Sequence, residues 1–227
     1  MHIRVEVLSA CMLLSAVPAA WANGGGAMEM PQANSREESP QDKAKERYND
    51  GVREVRKADR FQDSAAQLVD PAKKERALHE ARTRYSSSLA KFQEAVQLDA
   101  NMHEAWNYVG YTSRKLGNYE AALAAYERAL ALKPGYPEAL EYRGEAFLAL
   151  NRIPDAQQAY LDLFATNRGL ADKLLAAIKS WVATQRAAAS GADPATVEEL
   201  DKWVQERAQI ASQTAALTRE GSAAGWH

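Results

Sequence analysis

One cysteine, Cys11, is all that the 227-residue sequence contains, so no internal disulfide can form and any fold must be held by packing. Histidine is nearly as scarce, and beyond His2 the chain has only His79, His103 and His227, far apart. Zinc needs several His, Cys or carboxylate ligands converging, so neither a metal site nor a cofactor is expected. An excess of charge of one sign is also missing: 28 Lys and Arg stand against 30 Asp and Glu, a net charge of -2. No basic field exists to condense on nucleic acid, and no nucleic-acid partner is expected. Long hydrophobic runs are absent too. The longest mainly apolar stretch, Val7 to Ala20, falls short of the roughly 20 residues of a permanent membrane span. Phosphate-cradling glycine loops, a serine nucleophile elbow and a His-Glu-x-x-His helix are all lacking, so the chain reads as non-catalytic. What remains is 46% hydrophobic and 26% charged residues, enough apolar material for one globular domain with a continuous core.

The first residues read as an export address. Arg4 supplies a positive start, Val7 to Ala20 an apolar run, and Ala20-Trp21-Ala22 the small-x-small form that signal peptidase accepts, so cleavage is expected after Ala22 and the mature chain in the periplasm or secreted. A rival reading is a lipoprotein anchored through Cys11, since Leu8-Ser9-Ala10-Cys11 resembles a lipoprotein box. Most of the apolar run follows that cysteine, however, and Glu6 interrupts the stretch before it.

Self-similarity dominates the middle of the chain. A single offset, 34, joins Gly110 to Gly144, Leu116 to Leu150, Ala122 to Ala156 and Tyr126 to Tyr160; further back it joins Phe92 to Tyr126, Ala95 to Ala129 and Leu98 to Leu132. The best copy runs through Trp106, Val109, Gly110, Tyr119, Ala122, Tyr126, Ala129 and Pro134. Period and residues together resemble the tetratricopeptide (TPR) repeat, which implies an all-α solenoid of antiparallel helix hairpins. The residue types obey a packing rule: small Gly110 and Ala122 where paired helices approach, Trp106 and Tyr126 filling the space between hairpins, Pro134 stopping the second helix. Pro154 sits where the second helix of the next unit should begin, with Asn151 as its expected cap.

The ends depart from the pattern. Tyr48-Asn49-Asp50-Gly51 is the matching first helix upstream, but the step from Gly51 to Phe92 is far longer than the corresponding step from Gly110 to Tyr126. The insert, about 25 residues split over two helices, lengthens each by about 18 Å at 1.5 Å per residue, so an elongated hairpin turning at Asp70-Pro71 is expected to project as an arm. From Arg53 to Arg84 it carries nine basic and six acidic residues. That is the composition of a solvated face with local ion pairs, or of a contact arm for an anionic partner through Arg53, Arg56, Lys57, Arg60, Lys73 and Lys74. Downstream, Ile178 stands where a repeat glycine would be, and the last two helices read as a degenerate repeat closing the solenoid with Trp181 and Trp203. The expected divisions are a signal peptide (1–22), a disordered leader (23–42), the long hairpin (43–100), two repeats (101–136 and 137–170), capping helices (171–219) and a loose tail (220–227) containing Trp226.

First helices of TPR hairpins line a concave groove, and on that resemblance Asn107, Tyr111, Arg114, Glu138, Glu141, Glu145 and Leu148 are the groove candidates. Family members that clamp a terminal carboxylate do so with Lys and Asn side chains on successive first helices. Here Asn49 fits one such place, but Tyr108 replaces the next asparagine, and Glu138 and Tyr142 stand where bases would be. Glu141 and Glu145 could suggest an acid/base pair, but on an open solenoid face they are expected to lack the burial that tunes a carboxyl. The expected function is therefore a protein-protein interaction module holding a protein or peptide partner, with self-association as a homo-oligomer or surface attachment through the basic arm as the alternative.

Overall fold

The computed structural model describes residues 38–188 and 191–223. The expected signal peptide, its cleavage site, Cys11, most of the leader and Trp226 lie outside them. Among the described residues there are eight helices and no strand: α1 (Pro40–Gln67), α2 (Pro71–Leu98), α3 (His103–Lys115), α4 (Tyr119–Leu132), α5 (Pro137–Ala149), α6 (Ile153–Thr166), α7 (Arg168–Ala187) and α8 (Pro194–Ala223). Consecutive helices pair as antiparallel hairpins, and α3 with α5 and α5 with α7 also touch. The first helices of successive hairpins therefore stack into one face. No described helix is long and apolar enough to cross a membrane.

Local chemistry sets the boundaries. The helix α1 begins inside the stretch expected to be leader, because Ser39 and Asp42 close a capping box: the Asp42 N–H donates to Ser39 Oγ at 3.1 Å and the Ser39 N–H to Asp42 Oδ2 at 3.3 Å. Asp70 caps α2 by accepting from the Ala72 and Lys73 N–H groups at 2.9 and 3.2 Å, with Pro71 at the first helical place. Asp193 likewise accepts from the Thr196 N–H at 3.0 Å before Pro194. Backbone hydrogen bonding carries α8 to Ala223, past the expected end at Arg219 and into the stretch read as tail. Asn151 does not cap α6. It adopts φ +56°, and its counterpart one repeat earlier, Gly117, adopts φ +85°. In both copies the residue after this left-handed turn sends its N–H back into the preceding helix, Asn118 to Ser113 O and Arg152 to Phe147 O, each at 2.8 Å. Asparagine is one of the few side chains that tolerates this conformation.

The core follows the repeat. Phe92, Tyr126 and Tyr160, each one period from the next, are wholly buried. A methyl group added at Gly51 would stand 2.6 Å from Phe92 Cε1, one at Gly110 would collide with the Tyr126 ring, and one at Gly144 would meet Leu174 Cδ2 at 2.6 Å. The glycine in the third hairpin thus makes room for α7 rather than for its own partner helix. Gly110→Leu is expected to cost about 1 to 3 kcal/mol or more by overpacking; a thermal melt unchanged from wild type would contradict the packing. At the C-terminal end Ile178 is fully buried, and Trp203 sets its ring edge-on to Tyr160 at 5.2 Å. Trp181 and Trp203 both pack against the main core.

The elongated hairpin is two helices of 28 residues joined at Leu68–Asp70. Support from α3 climbs along it: Phe61, Ala81 and Tyr85 pack with Tyr111 and Leu116, and Lys115 Nζ donates to Gln62 Oε1 at 3.1 Å. Only Asp63 to Gln67 continues beyond that contact on α1, about 8 Å of helix, less than the projection the insert length implied. Val69 at the tip is 95% exposed.

Candidate functional site

Spacing along α3 sets Glu104, Asn107, Tyr111 and Arg114 on one stripe, at intervals of three and four residues. The same stripe on α5, one repeat on, is Glu138, Glu141, Glu145 and Leu148. Tyrosines run between the helices. Tyr48 of α1 meets Tyr108 of α3 at 5.7 Å between ring centroids, Tyr108 meets Tyr111 at 6.1 Å, and Tyr111 meets Tyr142 of α5 at 5.1 Å. Asp59 of α1 ties this ladder down by accepting from the Tyr85 hydroxyl at 2.5 Å and the Tyr111 hydroxyl at 2.7 Å. Burial and those bonds to Asp59 push both phenols well above their ordinary range. Tyr48 is pushed up to about 12, chiefly by burial.

Charge is built into the centre of the face. Arg114 stands 5.5 Å from the centroids of both Tyr111 and Tyr142 and pairs with Glu145. Burial opposes its charge, but Glu145, Tyr126 and Tyr111 outweigh that and raise its pKa. Lys115 is pulled down by burial first and by Arg114 next, and its ammonium lies 5.5 Å from the Tyr111 ring centroid. Glu141 overturns the expectation of an unburied acid pair. It is 5% exposed, and burial, then Glu145, push its carboxyl up to about 7 although Arg114 and Lys173 pull the other way. Its helix lies between α3 and α7, which shields a position that an isolated hairpin would expose.

The other groove candidates divide between surface and floor. Tyr111, Arg114, Glu138 and Glu145 are half-buried and reach the face. Asn107 and Leu148 are 2% and 4% exposed, so they belong to its floor rather than to an open groove wall. Among the described residues, Asn107 Oδ1 has no hydrogen-bond donor and Arg114 Nε no acceptor. His103 is half-buried, edge-on to Tyr136 at 4.9 Å with Nδ1 3.1 Å from Glu104. Sequence reading passed over Asp59, Tyr48, Tyr85 and Lys115 as site residues; an acid at Asp59, one turn beyond Val52 and Val55 on the same face of α1, was the available signal. Between α3, α5 and α7, with Tyr119 of α4 at its edge, the face dips into a depression lined by Arg114, Glu145, Leu148, Ala149, Ala177, Ser180 and Trp181.

On the long hairpin most of the basic candidates serve local pairs or solvent. Arg53 pairs with Asp50, Lys57 with Glu54 at 2.8 Å, and Arg84 crosses from α2 to Glu54 at 3.0 Å. The hydrogen bond from Lys57, with Arg84 behind it, holds the Glu54 carboxyl below its ordinary value. Arg56, Arg60, Lys73 and Lys74 are exposed. Among the described residues, no cluster of three or more His, Cys, Asp or Glu is arranged to hold a metal ion.

Fold and face together define an all-α solenoid of helical hairpins. Residues 110–151 match the family model described as TPR repeat, which supports the tetratricopeptide assignment. Repeats of this kind generally mediate protein-protein interactions, and the fold is typically non-catalytic. No curated protein matches the chain.

Proposed function

We propose that the chain holds a segment of a partner protein against the face built by its first helices, as a scaffold or assembly factor of the bacterial cell envelope. The observation that carries this reading is the depression between α3, α5 and α7, where Trp181, the Arg114–Glu145 pair and Tyr119 at the start of α4 line one surface. Aromatic and arginine side chains of this kind supply most of the energy at protein interfaces. The tyrosine ladder beside it is held by Asp59, so the face is organised before a partner arrives, which lowers the ordering cost of binding. The cell-envelope assignment rests on the export-type residues Arg4, Val7 to Ala20 and Ala20-Trp21-Ala22.

Crosslinking in cells tests both halves. A photoreactive residue at Ala149, exposed beside the depression, is expected to trap a discrete envelope protein, while one at Ala131, exposed on α4, is not. Equal yields from the two positions, or none from Ala149, would sink the groove reading. Recovery of the crosslinked species from the cytoplasm alone would sink the envelope assignment.

A further inference from the structure

Resting on the groove reading, we propose that the floor between α3 and α5 receives a Lys or Arg side chain of the partner, seated on the Glu141 and Glu145 carboxylates.

Two observations converge on this chemistry. Among the described residues Glu141 makes no ion pair, although it is almost fully buried; its hydrogen-bonding neighbour is another acid, Glu145. Arg114, one of two cations that act on Glu141, is engaged by Glu145, one turn along α5. A buried carboxylate without a paired countercharge costs free energy, and the cost is returned when a cation arrives. An ammonium carries three N–H donors and a guanidinium five, neither with an acceptor of its own. A terminal carboxylate or acidic side chain would face two acids instead.

The groups around Glu141 fix the sign of its response to pH. Arg114 from α3 and Lys173 from α7 favour its charge, while burial and Glu145 of α5 oppose it, and Tyr142 of α5 lies beside it. From α4, Tyr126 sets its phenol against Arg114 and Glu145. With its carboxyl pushed up to about 7, Glu141 is largely protonated at pH 6 and largely ionised at pH 8. A partner cation requires the ionised form, so binding releases a proton.

A library of random dodecapeptides displayed on phage, panned against the wild-type chain, tests the proposal. Selected peptides are expected to share a Lys or Arg. In synthetic form they should bind about tenfold more weakly at pH 6 than at pH 8, and lose about tenfold or more when citrulline replaces the arginine or norleucine the lysine. Glu141→Gln, which keeps the side chain's shape, should lose a similar factor and flatten the pH dependence. Selected peptides without a basic residue, or ones bound equally well after the citrulline or norleucine exchange, would overturn the cation site and leave the groove standing. No selection of any peptide would overturn the groove reading itself. Because the citrulline and norleucine arm uses only the wild-type chain, it decides the matter even if the variant folds poorly.

Discussion

Phe92→Ala is expected to destabilise the chain by about 3 to 5 kcal/mol. Phe92 is wholly buried where α1, α2 and α3 meet, stacked on Tyr108 at 4.9 Å with 17° between the rings and 5.8 Å from Tyr48. Against it lies Gly51, which has no side chain to move into the vacated space. The cavity therefore stays open, and the loss adds an unfilled volume to the lost burial. Urea unfolding followed by helical circular dichroism measures it, and a loss below about 1 kcal/mol would mean that the long hairpin is not seated on α3 as described. A second substitution sharpens the test. Gly51→Ala alone collides with the ring, but in the Phe92→Ala background its methyl enters the cavity, so the two changes together should cost less than their sum.

Glu141→Gln is expected to stabilise the free protein, increasingly so from acid to alkaline pH. The folded carboxyl is pushed from 4.5 up to about 7, so between those values the native chain holds a proton that the unfolded chain has lost. Stability falls with rising pH wherever the native state binds more protons. Wild type therefore carries no penalty from this group below about pH 4.5, loses stability through the interval, and carries the full penalty above about pH 7. A shift of that size corresponds to about 3 kcal/mol. The difference between variant and wild type, from urea unfolding at pH 4.5 and pH 8, should widen by that amount. A difference that stays constant with pH would show that Glu141 ionises normally. The penalty is one that a partner cation relieves, which ties this stability measurement to the peptide experiment.

Much of the architecture was legible because TPR-like helices are specified locally. The repeat offset reports which helix turn recurs, and it aligned Gly51 with Gly110 and Phe92 with Tyr126; the structure adds that each glycine lies directly against the ring in its own hairpin. Asp70-Pro71 and Asp193-Pro194 announced their helix starts because a side-chain cap and a fixed proline φ act within a few residues. Two local readings failed for equally local reasons. Ser39 and Asp42 form their box inside a stretch whose glycine and proline content read as leader. Asn151 reads as a cap by residue type, whereas its alignment with Gly117 marks a left-handed turn.

The candidate site was legible only as a stripe. Spacing placed Asn107, Tyr111, Arg114, Glu141, Glu145 and Leu148 on first helices, but spacing within one helix cannot say what the next hairpin covers. Asp59 meets Tyr111 across 52 positions of sequence, and Lys115 meets Gln62 across 53. The same stacking holds α3 against most of the long hairpin, so a length that promised a free arm became, for the most part, a supported wall.

By itself the sequence determined the helices, their pairing into hairpins, the repeat register and the aromatic core at Phe92, Tyr126 and Tyr160, because these depend on period, turn chemistry and side-chain size. Only the tertiary structure decided that Asn107, Glu141 and Leu148 are floor rather than rim, and that Glu141 holds its proton near neutrality. Burial and the field at a carboxyl are sums over neighbours from separate hairpins, and those neighbours come together only when the first helices stack.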